Sequence, residues 1–481
     1  MRVLFLNSFE FPPNALADSS YTLTKRIIEH LPDDFFSIFL MPTRDLSGRR
    51  RYGFIGDPEE IERCEYIYTP LLSGRPESEL LISDALWDLF NPMNGSRVDY
   101  DVVITNNSIV GQRLVDWFTS SKGQAVLPPV IVLDYCTPFI GSACDLGYLR
   151  DEPRKVLSHY VGFANADKTF FFTDYSKRKA LQQARELLSP ALVKRFAARS
   201  EVLPIFFSYK KLDETVKDVP KRESVTVYWG GRLTATKRVA MALETADYLF
   251  SFGRDLRMVA TIPGREPAID KMLVGKQKHY PKQLETHFGL TQIEAWKIMA
   301  SCQISIFPQS LRYGPAAPME QIRAGLIVLI NKADSVGVLP EEYPWFWSSP
   351  TELQALIRRV IANLPAEMAK QAYWREWVKE HRSIENNIER LITTIKELHV
   401  PVAQHFKKQQ SKLITGRLTD HVANERWIEY INRLLKEHAV YGQLKYVNNP
   451  IMSNPSLWAV FQTFVAHGFV KETVSNPLIV S

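Results

Sequence analysis

Val225-Thr-Val-Tyr-Trp-Gly-Gly-Arg-Leu-Thr-Ala-Thr-Lys237 is a β-branched and aromatic run, then two glycines, then a basic turn that opens into a helix-forming stretch. A strand that ends in glycines and starts a helix lets backbone approach a phosphate closely. Gly231 supplies the approach, and Arg232 and Lys237 add two positive charges. An arginine bridges two phosphate oxygens and a lysine acts as a point charge, so the pair suits a leaving diphosphate. A tight βα turn with solvated basic residues is the other reading.

Phe307-Pro-Gln-Ser-Leu-Arg-Tyr-Gly-Pro-Ala-Ala-Pro-Met-Glu320 repeats the plan. A strand ends at Phe307, and a small-residue turn containing Arg312, Tyr313, Gly314 and Pro315 follows. Backbone N–H groups at Gly314, Ala316 and Ala317 are expected to face an anion. A helix is expected from about Pro318, with Glu320 in its first turn. A carboxylate there can accept from two vicinal hydroxyls, as a ribose offers. Alternatively, Glu320 is a first-turn acid favoured by the helix dipole.

Outward from these two segments, short apolar runs alternate with amphipathic stretches. Val3–Leu6, Phe36–Met41, Val102–Thr105, Val130–Leu133, Lys168–Phe172 and Val202–Ile205 read as strands. So do Met258–Ile262, Ile304–Phe307 and Ile327–Ile330. Four-residue β-branched runs suit parallel strands buried on both faces. Leu23–Leu31 reads as a helix, and Asp174-Tyr-Ser176 as the cap of another that starts at Lys177. Thr291–Ala300 and Met319–Ala324 are helical, and Trp374–Leu398 reads as one long helical region. Strands alternating with helices predict α/β architecture with parallel sheets. The alternation lapses into a charged stretch at 206–222, read as an interdomain linker, and then restarts.

The bulk properties agree with a multidomain globular chain. It has 481 residues, 45% hydrophobic and 23% charged, with a net charge of +6. Such a charge does not by itself imply nucleic acid. Cys64, Cys136, Cys144 and Cys302 form no CxxC pair, so buried free thiols in a reducing compartment are expected. The start lacks the pattern of a signal peptide, and no run of eighteen apolar residues occurs, so a cytoplasmic protein is expected.

The ordered pieces resemble the retaining GT-B glycosyltransferases of family 4. Those carry a strand followed by Gly-Arg, a lysine a few residues on, and then a Pro-Ser, Glu-x-Phe-Gly and Glu-Ala-x-x-Gly block. This chain has Gly231-Arg232, Lys237, Ser310, Tyr313-Gly314, Glu320 and Ala324-Gly325 at those places. Ala166-Asp167, Ser176, Leu203-Pro-Ile205, Gly264, Gly289 and Trp374–Glu385 match more loosely, and the likeness spans about residues 1–398.

The resemblance implies two Rossmann-like domains facing each other across a cleft: an acceptor domain at 1–208 and a nucleotide-sugar donor domain with a crossing helix at 209–398. A basic, mostly helical extension at 399–481 follows. It implies that Arg232 and Lys237 hold the donor diphosphate and Glu320 the ribose. It also implies retention of anomeric configuration and no bound metal or cofactor, the nucleotide sugar being a substrate. No metal-binding DxD follows a strand.

The chain departs from the family pattern in three ways. Arg312 stands where the family has the glutamate that contacts the transferred sugar. The histidine expected after the fourth strand is replaced by Leu133-Asp134-Tyr135, which makes Asp134 the polar group expected near the reacting sugar carbon, unless it only caps its loop. Asn7-Ser-Phe-Glu-Phe-Pro-Pro13 replaces the glycine-rich loop after the first strand.

The extension holds nine lysines and arginines against five acids, with Trp427, Tyr430, Tyr441, Tyr446 and Trp458 among them. Helices are expected at 423–436 and 457–467, with a β-rich end from Gly468. The acceptor is left open as a small molecule, lipid or glycan, with Arg49–Arg51 suited to an anion. A modified base in DNA, reached through the basic extension, is the second reading. A binding protein that has lost turnover, hinted at by Arg312, is the third.

Overall fold

The computed structural model describes residues 1–6, 19–43, 64–70, 100–108, 111–112, 128–134, 153–231, 239–253, 255–262, 267–308, 316–332, 337–399, 443–445, 470–472 and 477–480. The first domain is built on seven parallel strands: β1 (Arg2–Leu6), β2 (Phe36–Thr43), β3 (Cys64–Pro70), β4 (Val102–Thr105), β5 (Val130–Asp134), β6 (Lys168–Phe171) and β7 (Ser200–Val202). They lie in the order β3-β2-β1-β4-β5-β6-β7. Every described residue of β4 and β5 is buried, as expected of parallel strands covered on both faces.

On one face, α2 (Pro153–Asn165), α3 (Asp174–Leu187) and α4 (Pro190–Arg199) pack through Tyr160, Phe163 and Phe196 against Val132 and Phe171. The Phe163 and Phe196 rings stack with centroids 5.6 Å apart. On the other face, α1 (Ser19–Glu29) sets Leu23, Ile27 and Ile28 into a core that is continuous with that of the second domain.

The second sheet holds β8 (Thr226–Gly230), β9 (Arg257–Ile262), β10 (Leu284–Phe288), β11 (Ile304–Phe307), β12 (Ile327–Asn331) and β13 (Phe346–Trp347), all parallel, in the order β10-β9-β8-β11-β12-β13. In both sheets the order runs outward in one direction from β1 or β8 and then restarts on that strand's other side. That reversal opens a crevice at the carboxyl ends, the usual ligand position in open α/β sheets. The helices of this domain include α5 (Tyr209–Val216), α6 (Val239–Phe250), α7 (Pro267–His279), α8 (Gln292–Ser301), α9 (Ala316–Arg323), α10 (Pro350–Ala362) and α11 (Leu364–Arg382). The α8 N-terminus has a full capping box, with Thr291 and Glu294 satisfying each other's backbone. Gly325, at φ +86°, ends α9; its N–H and that of Leu326 return to Ile322 and Gln321 carbonyls.

The chain then re-enters the first domain as α12 (Ile384–Leu398), which buries Ile384, Ile388, Leu391, Ile392 and Ile395 along one face. Arg390 on α12 pairs with Glu201 of β7, and His399 lies 3.3 Å from Asp101. The two sheets and the return helix match the expected pair of Rossmann-like domains.

Several boundaries differ from the sequence reading. The helix read from Lys177 begins at Asp174, because Thr173, not the Asp174–Ser176 segment, is its cap: Thr173 Oγ1 accepts from Ser176 N–H. Strand β7 ends at Val202, before Leu203-Pro204, where proline removes a ladder donor. The stretch read as linker contains α5, whose N-terminal N–H at Lys210 is capped by Glu385. The long region from Trp374 is two helices, broken at Ser383, which caps α12 by accepting from Asn386 N–H. In the extension, three short antiparallel strands are described, β14 (Gln443–Lys445), β15 (Val470–Glu472) and β16 (Pro477–Val480); the last two fall in the β-rich end expected from Gly468, and the expected helices at 423–436 and 457–467 lie outside the described residues.

Candidate functional site

Strands β8 and β11 are neighbours, with Val227 opposite Ile304 and Tyr228 opposite Ser305. Their carboxyl ends therefore bring Gly231 and Phe307 to one edge of the sheet, at the reversal of strand order. Gly231 follows β8 directly, and its N–H donates to Thr261 O at the end of β9 at 3.2 Å. Behind it the Tyr228 hydroxyl and Thr261 Oγ1 lie 2.6 Å apart, and burial pushes the Tyr228 phenol well above its usual range. The base of this crevice is thus neutral and fixed.

Arg232 and Lys237 lie outside the described residues, as do Arg312, Tyr313, Gly314 and Pro315. Ala316 and Ala317 are described and are the first residues of α9, so the helix starts two residues before Pro318. The first N–H groups of a helix have no intrahelical acceptor, which leaves this end suited to an anion.

Because α9 begins early, Glu320 stands in its second turn rather than its first. It is not a dipole-stabilised first-turn acid. Its Oε1 accepts from Arg26 Nη1 at 2.8 Å and its Oε2 from Trp296 Nε1 of α8 at 3.4 Å. The Arg26 guanidinium lies over the Trp296 ring, 5.8 Å from its centroid. Arg26 belongs to α1, so this contact joins the domains.

Just past the end of α1, His30 meets the return helix, with its Nε2 3.5 Å from Glu385 Oε1 of α12. Burial works against charging His30, but the Glu385 hydrogen bond, the Arg26 carbonyl and the nearby carboxylates outweigh it and raise its pKa. Burial likewise opposes ionising Glu385, yet donors from His30, Ser208 and Lys210 hold its carboxyl at about 2.

Asp134 ends β5 on the carboxyl edge of the first sheet, opposite Phe171, and is buried. It stands at a strand mouth, as expected, but on a different sheet from Glu320. Arg26 and Trp296 escaped the sequence reading. The signal for the first was available: Arg26 and His30 are two basic groups four apart, beside the Leu23, Ile27, Ile28 face of one helix.

No family model matches the sequence, and no curated protein matches it. Solved structures do. Sucrose-phosphate synthase from Thermosynechococcus elongatus superposes with a TM-score of 0.59 at 14% identity, covering 83% of this chain and 99% of that one. HepE from Anabaena, solved in complex with UDP-glucose, gives 0.56 at 12% identity, covering 82% and 98%. A trehalose-6-phosphate synthase, studied for enzymatic glycosyl transfer with retention, gives 0.58 at 11% identity, covering 82% and 99%. At these identities the likeness establishes architecture: the chain adopts the two-domain GT-B fold.

Proposed function

We propose that this chain is a glycosyltransferase that moves a sugar from a nucleoside-diphosphate sugar to an acceptor hydroxyl, with retention and without a metal ion. The observation that carries the reading is the adjacency of β8 and β11 at the reversal of the second sheet. It brings Gly231 and the strand that leads to α9 and Glu320 to one sheet edge, in a fold whose solved examples include a UDP-glucose complex.

In this mechanism Arg232, Lys237 and the first N–H groups of α9 receive the charge that develops on the departing diphosphate. Glu320 accepts from the ribose hydroxyls. The acceptor oxygen bonds to the anomeric carbon on the face from which the diphosphate leaves. The carbon–oxygen bond to phosphate breaks, and the acceptor proton passes to the leaving phosphate oxygen. Asp134 is the polar group offered from the first domain, and closure of the domains excludes water.

A thermal-shift panel of UDP-, GDP- and ADP-sugars tests the reading, since a ligand that binds only the native state stabilises it. One donor is expected to raise Tm and to release its nucleoside diphosphate slowly in the absence of acceptor. No shift with any donor sinks the proposal. A shift with no release, with or without acceptors, would favour the non-catalytic reading that Arg312 suggests.

A further inference from the structure

Arg26 is a buried cation in an unfinished arrangement. The residue is only 7% exposed; Nη1 donates to Glu320, and Nη2 is buried without a hydrogen-bond partner among the described residues. A guanidinium has five N–H donors and cannot shed its charge, so a buried donor with no acceptor is costly. Glu320 is under-used as well, since its second oxygen receives only the long 3.4 Å contact from Trp296. The Trp296 ring face holds the cation in place without using a donor. Both partners of this cross-domain pair therefore retain capacity for another group.

We propose that Arg26 is a donor-binding residue contributed by the first domain, which exchanges Glu320 for the diphosphate when a nucleotide binds. The proposal rests on the nucleotide-sugar reading above. When ribose hydroxyls donate to Glu320, they take the oxygens that now hold Arg26. The diphosphate hangs from that same ribose by one ester linkage, so the released guanidinium stands beside it. Its planar two-donor edge matches phosphate oxygens. The exchange satisfies Nη2, and it replaces the direct tie of α1 to the second domain with one through the bound nucleotide.

The test is calorimetric titration of the full chain and of its Arg26→Gln and Arg26→Lys variants with uridine and UDP, guanosine and GDP, and adenosine and ADP. For the pair that wild type binds, Arg26→Gln is expected to weaken the diphosphate about tenfold or more, the effect of one lost charge-assisted contact. The nucleoside is expected to bind as well as before or more tightly, because Glu320 is released. Arg26→Lys keeps the charge without the fork and should recover part of the diphosphate affinity. It also supplies the ratio if Arg26→Gln does not fold. Nucleoside and diphosphate affinities that change by the same factor, or not at all, overturn the proposal and leave Arg26 as a seam between domains. A wild-type chain that binds no nucleotide overturns the parent reading instead, and that failure is recognisable because it precedes any substitution.

Discussion

Phe207 and Ser383 lie side by side in a parallel β-bridge: the chain leaves the first domain and returns to it at one point. Phe206 N–H donates to Arg382 O at 2.9 Å and Ile384 N–H to Phe207 O at 2.8 Å, so the two crossings are bonded to each other. The two crossings tied in this way form a short axis about which the domains can turn, while the cleft side carries the Arg26–Glu320 contact. Opening the cleft must break the Arg26–Glu320 pair and spare both the bridge and the His30–Glu385 pair, which ties α12 to the first domain.

The second of these pairs predicts a pH window. His30 has a raised folded pKa, so its contribution is full below the ordinary histidine value of about 6.5 and is lost as pH climbs through the folded pKa. Glu385 has a folded pKa of about 2, so its contribution is present above the ordinary glutamate value and is lost as pH falls toward 2. The pair therefore stabilises most between about pH 4.5 and 6.5. Denaturant midpoints across pH 4 to 9 should show a decline above pH 6.5 in wild type that is absent from His30→Gln. A decline of the same size in both chains rules the pair out as its cause. Glu385→Gln should lose roughly 1.5–3 kcal/mol at pH 6, since the donors from His30, Ser208 and Lys210 then face a neutral amide.

Arg323 gives a prediction about folding rather than closure. It is buried, binds Asp213 of α5 through Nε and Nη2 at 2.8 and 2.5 Å, and donates through Nη1 to Glu376 and to Arg375 O of α11. One side chain thus ties α5, α9 and α11. Its carboxylate partners are part-exposed to exposed, so losing these charge-assisted hydrogen bonds costs about 1.5–3 kcal/mol. Arg323→Ala should lower the unfolding midpoint accordingly, and Arg323→Lys should recover little because it lacks the fork. A midpoint within experimental error of wild type would show that this network contributes nothing.

The same contrast between local and distant cause explains what the sequence made legible. Val102–Thr105 and Ile304–Phe307 read as strands and are strands, because they are buried on both faces and no charged residue interrupts the run. Leu284-Glu-Thr-His-Phe288 went unread. It lies at the sheet edge, pairs only with β9, and carries Glu285 and His287 toward Arg222 and solvent, which dilutes its apolar signature. Cys64–Pro70 escaped for the same reason at the other sheet's edge. The break at Ser383 has no proline or glycine to announce it; it arises from the crossing beside Phe207. The βα turns after β8 and β11 were visible as motifs, but Arg26 was not, because it meets Glu320 across 294 residues of chain. Local pattern locates the turns, and only the packing of α1 on the second domain reveals the pairing.

Gly337 makes the domain contact testable by steric means. Its φ is +81°, a conformation that residues with a side chain adopt at a cost. A Cβ built there lies 2.9 Å from Tyr175 Cβ and 3.2 Å from Tyr175 N, at the start of α3 in the first domain. The neighbouring Val338 carbonyl also holds Arg382 Nε at 2.6 Å, beside the crossing. Gly337→Ala should therefore cost about 1–3 kcal/mol in stability. It should also push the domains apart, which small-angle scattering would register as an increased radius of gyration. An alanine variant with unchanged stability and radius removes this loop from the domain interface.

The donor-site assignment itself predicts a separation between catalysis and affinity. Arg232 and Lys237 are proposed to meet charge that grows as the diphosphate leaves, so each alanine substitution should raise the barrier by roughly 2–4 kcal/mol while the melting curve stays in place. Glu320 is proposed to meet the ribose, whose hydroxyls do not change in the reaction. Glu320→Ala should therefore weaken the nucleoside as much as the whole nucleotide sugar and affect turnover at saturation less than either basic substitution. The reason is that uniform binding lowers KM without raising kcat. Loss of Glu320 also unpairs Arg26, so stability must be measured alongside. Wild-type rates in both Arg232→Ala and Lys237→Ala would dismiss the diphosphate assignment. Undiminished nucleoside affinity in Glu320→Ala would dismiss the ribose contact and leave Glu320 as nothing more than the second-domain anchor of Arg26.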